Sequence, residues 1–200
     1  MKLLTFIGIG LLAAIISSGL AAPIEAESFT VPYSIYGSKD GKQIDVFLGE
    51  VIVDENVYYE LELVLMKATK DQTVTFHMSG YGGSVNNGLK LMSHIEASKA
   101  HTVMRVEAPL YSMHAVLVCA AKEVQMTTGG MLMFHDYSGV LDGKSNESLK
   151  NIKATSHLVK NVMTEYCVGK GILTKQEVSQ IIDDGKDIYL HKEDLQKRLR

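Results

Sequence analysis

The sequence predicts an α/β domain, on three observations. Short segments alternate apolar and polar residues with the period of a strand, and longer ones repeat apolar residues every three or four positions as a helix does. The two kinds of segment take turns along the chain, the order that builds a sheet covered by helices. Glycine clusters and polar turns separate them, and no internal repeat or low-complexity tract interrupts the pattern.

Residues 27 to 44 are polar and contain Pro32, Gly37 and Gly41, which predicts an arm or loop leading into the domain. "DVFLGEVI" at 45–52 predicts a strand. "ENVYYELELVLMKATK" predicts a helix, because Val57, Leu61, Val64 and Leu65 recur on one face. A strand follows at 72–78, "QTVTFHM", then a tight turn, "SGYGGS", then a helix with Leu89, Met92 and Ile95 at helical spacing. "TVMRVE" predicts a third strand, and a helix begins at Ser112. Two short apolar segments, "EVQMT" and "MLMFH", are separated by Gly129 and Gly130. A long helix is expected from about Glu147 to Val168, carrying Leu149, Ile152, Val159, Met163 and Tyr166, long enough to invite a packing partner outside the sheet. Thr174 and Glu177 stand at capping-box spacing and open a last helix that stops near Gly185.

Two hundred residues with 46% apolar and 22% charged side chains suit one globular domain with a sizeable core, here 45–200. A formal net charge of -3, with "KRLR" the one dense basic cluster, argues against a nucleic-acid partner. Residues 1–26 differ in kind: Lys2, an apolar run from Leu3 to about Ile16, then small residues Ser17, Ser18, Gly19, Ala21 and Ala22. That layout is a secretory signal or an uncleaved membrane anchor, and it places the domain outside the cytosol or tethered to a membrane. Cys119 and Cys167 are too few for a disulfide scaffold and lie in no zinc-ligand spacing, so two separate small buried hydrophobes are expected.

The candidate chemistry lies in "EAPLYSMHAVLVCAAK", where Ser112 stands at the mouth of an apolar helix. Its hydroxyl could cap that helix or serve as a nucleophile beside N–H groups that favour negative charge. His135 ends "MLMFH", where a strand could deliver a rigid base, and Asp183, Asp184 and Asp187 cluster near the end of the last helix as candidates to orient it. The glycines of "GYGGSV" let backbone N–H groups converge on an oxyanion or a phosphate, but neither GxxxxGK[ST] nor GxGxxG is present. His114 is expected at the surface or lining the pocket, and no HExxH-like spacing points to a metal.

"VFLGEVIVDENVYYELELVLMKA", "MSGYGGSVNNGLKLMSHIEAS", "YSMHAVLVCAAKE", "GGMLMFHDYSG" and "GKDIYLHKEDL" follow one another in the order and near the spacing of the Clp protease proteolytic subunit. The resemblance covers about Asp45 to Leu195. It implies an α/β fold of repeated β-β-α and β-α units, shared with crotonase-type enzymes, with the long helix protruding. It also implies a serine endopeptidase acting on peptides or unfolded segments inside an oligomeric ring. Carried over, the nucleophile falls on Ser112, the base on His135, the orienting carboxylate on Asp187 in "DIYL", and the oxyanion donors on the N–H groups of Gly83 and Met113. No cofactor or metal is implied. An AAA+ unfoldase partner would apply only to a cytosolic chain.

The chain departs from the family at His114, where a glycine follows Ser-Met, at Tyr111 in place of a small residue, at Tyr81 in place of proline and at Asp136 in place of glutamine. Three extra residues separate His135 from Asp187, which leaves Asp183 and Asp184 as rivals, and "QKRLR" replaces a closing strand. Two other readings remain: a non-catalytic ring subunit or adaptor, and a signal-peptide-peptidase-like protease with a lysine base. Lys122 lies about 15 Å from Ser112 along a helix, too far for that base.

Overall fold

The computed structural model describes residues 32–49, 51–52, 57–138 and 145–199. The expected leader at 1–26 lies outside the described residues. The elements run β1 Tyr33–Gly37, β2 Gln43–Leu48, β3 Val51–Ile52, α1 Tyr59–Lys67, β4 Thr73–Gly80, β5 Gly82–Gly83, α2 Val85–Ala97, β6 His101–Tyr111, α3 Met113–Val118, β7 Glu123–Met126, β8 Met131–Phe134, α4 Ser145–Val162, a π-helical turn Met163–Val168, α5 Lys175–Ile182, β9 Ile188–His191 and α6 Lys192–Arg198. The α/β class read from the sequence is the class observed.

The main sheet has the order β1-β2-β4-β6-β8-β9, with β7 paired to β6. Strands β2, β4, β6 and β8 run parallel, and antiparallel β1 and β9 close the two edges. Register explains the core: Val46, Phe76 and Met104 stand side by side on β2, β4 and β6 and are fully buried. Their neighbours Phe47, His77 and Arg105 point to the opposite face, as the two-residue period of a strand requires. There Phe47 stacks on His77 with ring centroids 4.4 Å apart.

Several elements differ from the sequence reading. The stretch expected as an arm contains β1, because Tyr33 buries itself against Tyr58, the two rings stacked 5.8 Å apart. The third strand runs on to Tyr111, four residues past the apolar segment that predicted it, since Pro109, Leu110 and Tyr111 pair with β8. The Ser112 helix is a short plug of six residues, all buried. The long helix has the expected extent but changes hydrogen-bonding pattern at Met163, and the π turn carries the buried Met163 and Cys167. The capping box forms as the spacing predicts: the Thr174 hydroxyl accepts from the Glu177 N–H, and the Glu177 carboxylate accepts from the Thr174 N–H.

The two cysteines overturn the expectation of separate thiols. Both are buried, and they form a disulfide across 48 residues of chain. The bond ties the end of α3 to the π turn, so the helix that begins at Ser112 is anchored covalently to the element that follows α4.

Candidate active site

Three parallel strands deliver the site. Strand β4 ends at Gly80, β6 at Tyr111 and β8 at Phe134, and the first residues beyond them, Tyr81, Ser112 and His135, all line one cleft of about 920 Å³. Gly83 and Met113 line it too, while Thr155, Val159 and Met163 form a wall from α4 and the π turn. Carboxyl ends of parallel strands are where open α/β sheets bind ligands.

Ser112 has φ 57° and ψ -127°, and among the described residues it is the one non-glycine residue with positive φ. Such a conformation costs about 1–3 kcal/mol and persists only where surrounding structure imposes it. Here the Ser112 N–H donates to the Met133 carbonyl at 2.8 Å, and its own carbonyl accepts from Val116 N–H at 3.2 Å. The backbone is thus clipped to β8 on one side and turned into α3 on the other. The hydroxyl makes no cap bond, which removes the capping explanation for a serine at this position.

The glycine pair read as a turn is a short parallel strand, β5 against β3. Its closeness to both neighbours explains the residue type. A Cβ on Gly82 would lie 2.6 Å from Ser112 Cβ, and one on Gly83 would overlap the Ile52 backbone. Both glycines also have positive φ, 98° and 125°. Just past β5 the Ser84 N–H donates to the Ile52 carbonyl at 2.7 Å.

His114 corrects its expectation. It is fully buried, not at the surface, and does not line the cleft. Its Nδ1 accepts a hydrogen bond from the Gly82 N–H at 2.9 Å, and its Nε2–H donates to the Gly49 carbonyl at 3.1 Å. Burial is the chief cause that pushes its pKa down to about 4, so the ring is neutral.

The carboxylates separate clearly. Asp183 accepts from Lys160 Nζ at 2.7 Å and from the Ser179 hydroxyl at 2.7 Å, and the Lys160 ammonium holds its pKa below the ordinary carboxylate value. Asp184 lies 3.8 Å from Lys186 Nζ. Asp187 is exposed and outside the cleft lining, its Oδ2 accepting from the Tyr189 hydroxyl at 3.4 Å. Asp187 directly precedes Ile188, which pairs with Phe134, the residue before His135. Asp136, which sequence reasoning gave no role, does line the cleft; its Oδ1 accepts from the Tyr137 N–H at 2.7 Å and the Ser156 hydroxyl at 2.9 Å, holding the segment after His135 to α4. Lys122 donates to the carbonyls of Ser98 and Ala100 at 2.9 and 2.5 Å, so its ammonium is engaged away from Ser112.

A cleft at the ends of parallel strands, lined by a strained serine with the glycine strand packed beside it, lies where open α/β sheets bind ligands. A family model described as Clp protease matches residues 33–197, and the chain belongs to the Clp protease family, a family of peptidases. No curated protein matches the sequence.

Proposed function

We propose that the chain is a serine endopeptidase in which Ser112 attacks the peptide carbonyl, His135 takes the serine proton and Asp187 orients the imidazole. The backbone N–H groups of Gly83 and Met113 stabilise the tetrahedral oxyanion. His135 then passes the proton to the leaving amine, and a water activated by the same imidazole hydrolyses the acyl-enzyme. The observation that carries this reading is Ser112 itself, held at φ 57° where β6 turns into α3, its hydroxyl not used as a cap and its side chain on the cleft. A strained strand-to-helix turn is a known way to present a nucleophilic serine.

The substrates are peptides or unfolded segments, taken in at the cleft that Gly83, Ser112 and His135 line. Leu149 and Leu158 on α4 remain about half exposed, which supports burial between copies of the chain in a ring. A disulfide behind the nucleophile, together with the signal-like residues 1–26, supports work outside the cytosol or at a membrane. The test is labelling with a fluorophosphonate and location of the adduct by peptide mass spectrometry. The adduct should sit on Ser112, and Ser112→Ala should abolish it together with peptide hydrolysis. Undiminished turnover by Ser112→Ala would remove the mechanism.

A further inference from the structure

We propose that His114 is a positioning residue for the oxyanion donors, locking the Gly82–Gly83 strand to the helix that begins at Ser112. The inference rests on the serine peptidase reading above.

Two donors from different elements must aim at one point for an oxyanion to be stabilised. Met113 belongs to α3 and Gly83 to β5, and their order in the chain does nothing to hold them in register. His114 stands between them in the literal sense. It is covalently joined to Met113, and its Nδ1 receives the N–H of Gly82, the residue bonded to Gly83. The path from one donor to the other therefore runs through a single buried hydrogen bond of 2.9 Å. The opposite ring nitrogen donates to Gly49, whose N–H in turn reaches the Pro32 carbonyl at 2.6 Å, so the imidazole cannot swing without breaking a second bond.

The chemistry of the ring fits this role and no proton-transfer role. Both nitrogens are spent on backbone groups, the ring is fully buried, and it is absent from the cleft lining. Accepting the Gly82 N–H requires a lone pair on Nδ1, hence the neutral tautomer carrying its hydrogen on Nε2. Where this position is glycine, as in the family the sequence resembles, no side chain can make either bond. The bulk of His114 is thus structural compensation placed behind the site rather than an obstruction in front of it.

The test compares hydrolysis of a short fluorogenic peptide by the full chain and its His114→Leu, His114→Asn, His114→Gln and Ser112→Ala variants, with thermal melts of each. Asparagine places an acceptor near the Nδ1 position; glutamine reaches toward the Nε2 position. Because an error of about 1 Å in such a site can cost about 10²-fold, His114→Leu should lower kcat by roughly tenfold to a hundredfold. KM should stay within about twofold, since an oxyanion contact acts in the transition state. His114→Asn should recover most of the lost kcat. Full kcat in His114→Leu, a loss confined to KM, or rescue by glutamine but not asparagine would each overturn the proposal while leaving the serine mechanism standing. If His114→Leu does not fold, the asparagine and glutamine variants decide between the two contacts. A wild-type chain with no Ser112-dependent turnover overturns the peptidase reading, and this inference with it.

Discussion

Cys119 and Cys167 are bonded to one another across the back of the site, joining the helix that Ser112 starts to the π turn whose first residue, Met163, lines the cleft. The bond spans 48 residues, which include β7, β8 and the whole of α4. It therefore fixes the two walls of the cleft relative to each other as well as restricting the unfolded chain.

Removing it should loosen both. A closed loop of that length corresponds to about 4 kcal/mol in the chain-entropy account, within the ~2–4 kcal/mol usual for disulfides. Cys119→Ala/Cys167→Ala should lose about 2–4 kcal/mol of unfolding free energy, read from urea denaturation. A double variant as stable as wild type would mean that packing around the buried pair, not the covalent link, holds α3 in place.

Much of the cleft lining was legible in the sequence because its residues sit at transitions between patterns. Ser112 marks the change from strand to helix, His135 ends an apolar run, and the glycines of β5 interrupt two periodic segments. The disulfide left no such mark, since its cysteines are far apart in sequence and belong to no ligand-like spacing. His114 was misread for the same physical reason: its partners Gly82 and Gly49 come from elements 32 and 65 residues away, and a histidine's burial depends on bonds that composition does not display. Strand β1 was hidden by the polar, glycine-bearing segment that follows it, and became visible only through the contact of Tyr33 with Tyr58.

The buried His114 also predicts an acid-sensitive fold. In the unfolded chain the imidazole titrates at its ordinary value of 6.5, whereas in the folded chain it does so at about 4, and no charged neighbour contributes to the difference. Above about pH 6.5 both states are neutral and protonation costs the fold nothing. As pH falls toward 4 the unfolded chain takes up a proton that the folded chain refuses, so stability declines; below that value the loss is complete. At about 1.4 kcal/mol per pH unit the window amounts to roughly 3 kcal/mol. Urea titrations at successive pH values should show this decline in wild type and a smaller one in His114→Leu. Equal slopes would show that the imidazole is not held neutral.

An ion pair holds α6 against the start of α5. Arg198 places its two terminal nitrogens on the two Glu177 oxygens, both at 2.8 Å, and donates as well to the Ile172 carbonyl at 2.9 Å. That guanidinium is the chief reason the Glu177 pKa is lowered to about 2. The resulting stability is present above the ordinary glutamate value of 4.5 and disappears as pH falls through about 2. Since the pair is partly solvated, Arg198→Ala should cost about 1–2 kcal/mol near neutral pH, the lower range for hydrogen bonds to charged groups. Denaturation at pH 7 and pH 2 (approximate ends of the window) checks it: the penalty should be present at the first and much reduced at the second.

The choice among three aspartates follows from what each carboxylate already does. Asp183 is claimed by Lys160 and Ser179 at the exposed junction of α4 and α5, and Asp184 lies beside Lys186. Neither adjoins a residue paired with β8. Asp187 directly precedes Ile188, which pairs antiparallel with Phe134, the residue before His135. In that place a carboxylate can accept from the imidazole Nδ1–H and fix the tautomer whose other nitrogen takes the serine proton. Its present partner, the Tyr189 hydroxyl, is a long contact of 3.4 Å that a stronger acceptor–donor pair would outcompete. Asp187→Asn should therefore depress kcat by orders of magnitude, up to about 10⁴-fold as for the equivalent change in a trypsin-type triad. Asp183→Asn should leave kcat nearly unchanged and only loosen the contact between α4 and α5. Steady-state hydrolysis of one peptide by both variants separates the two, and a larger kcat loss in Asp183→Asn would move the orienting role off β9.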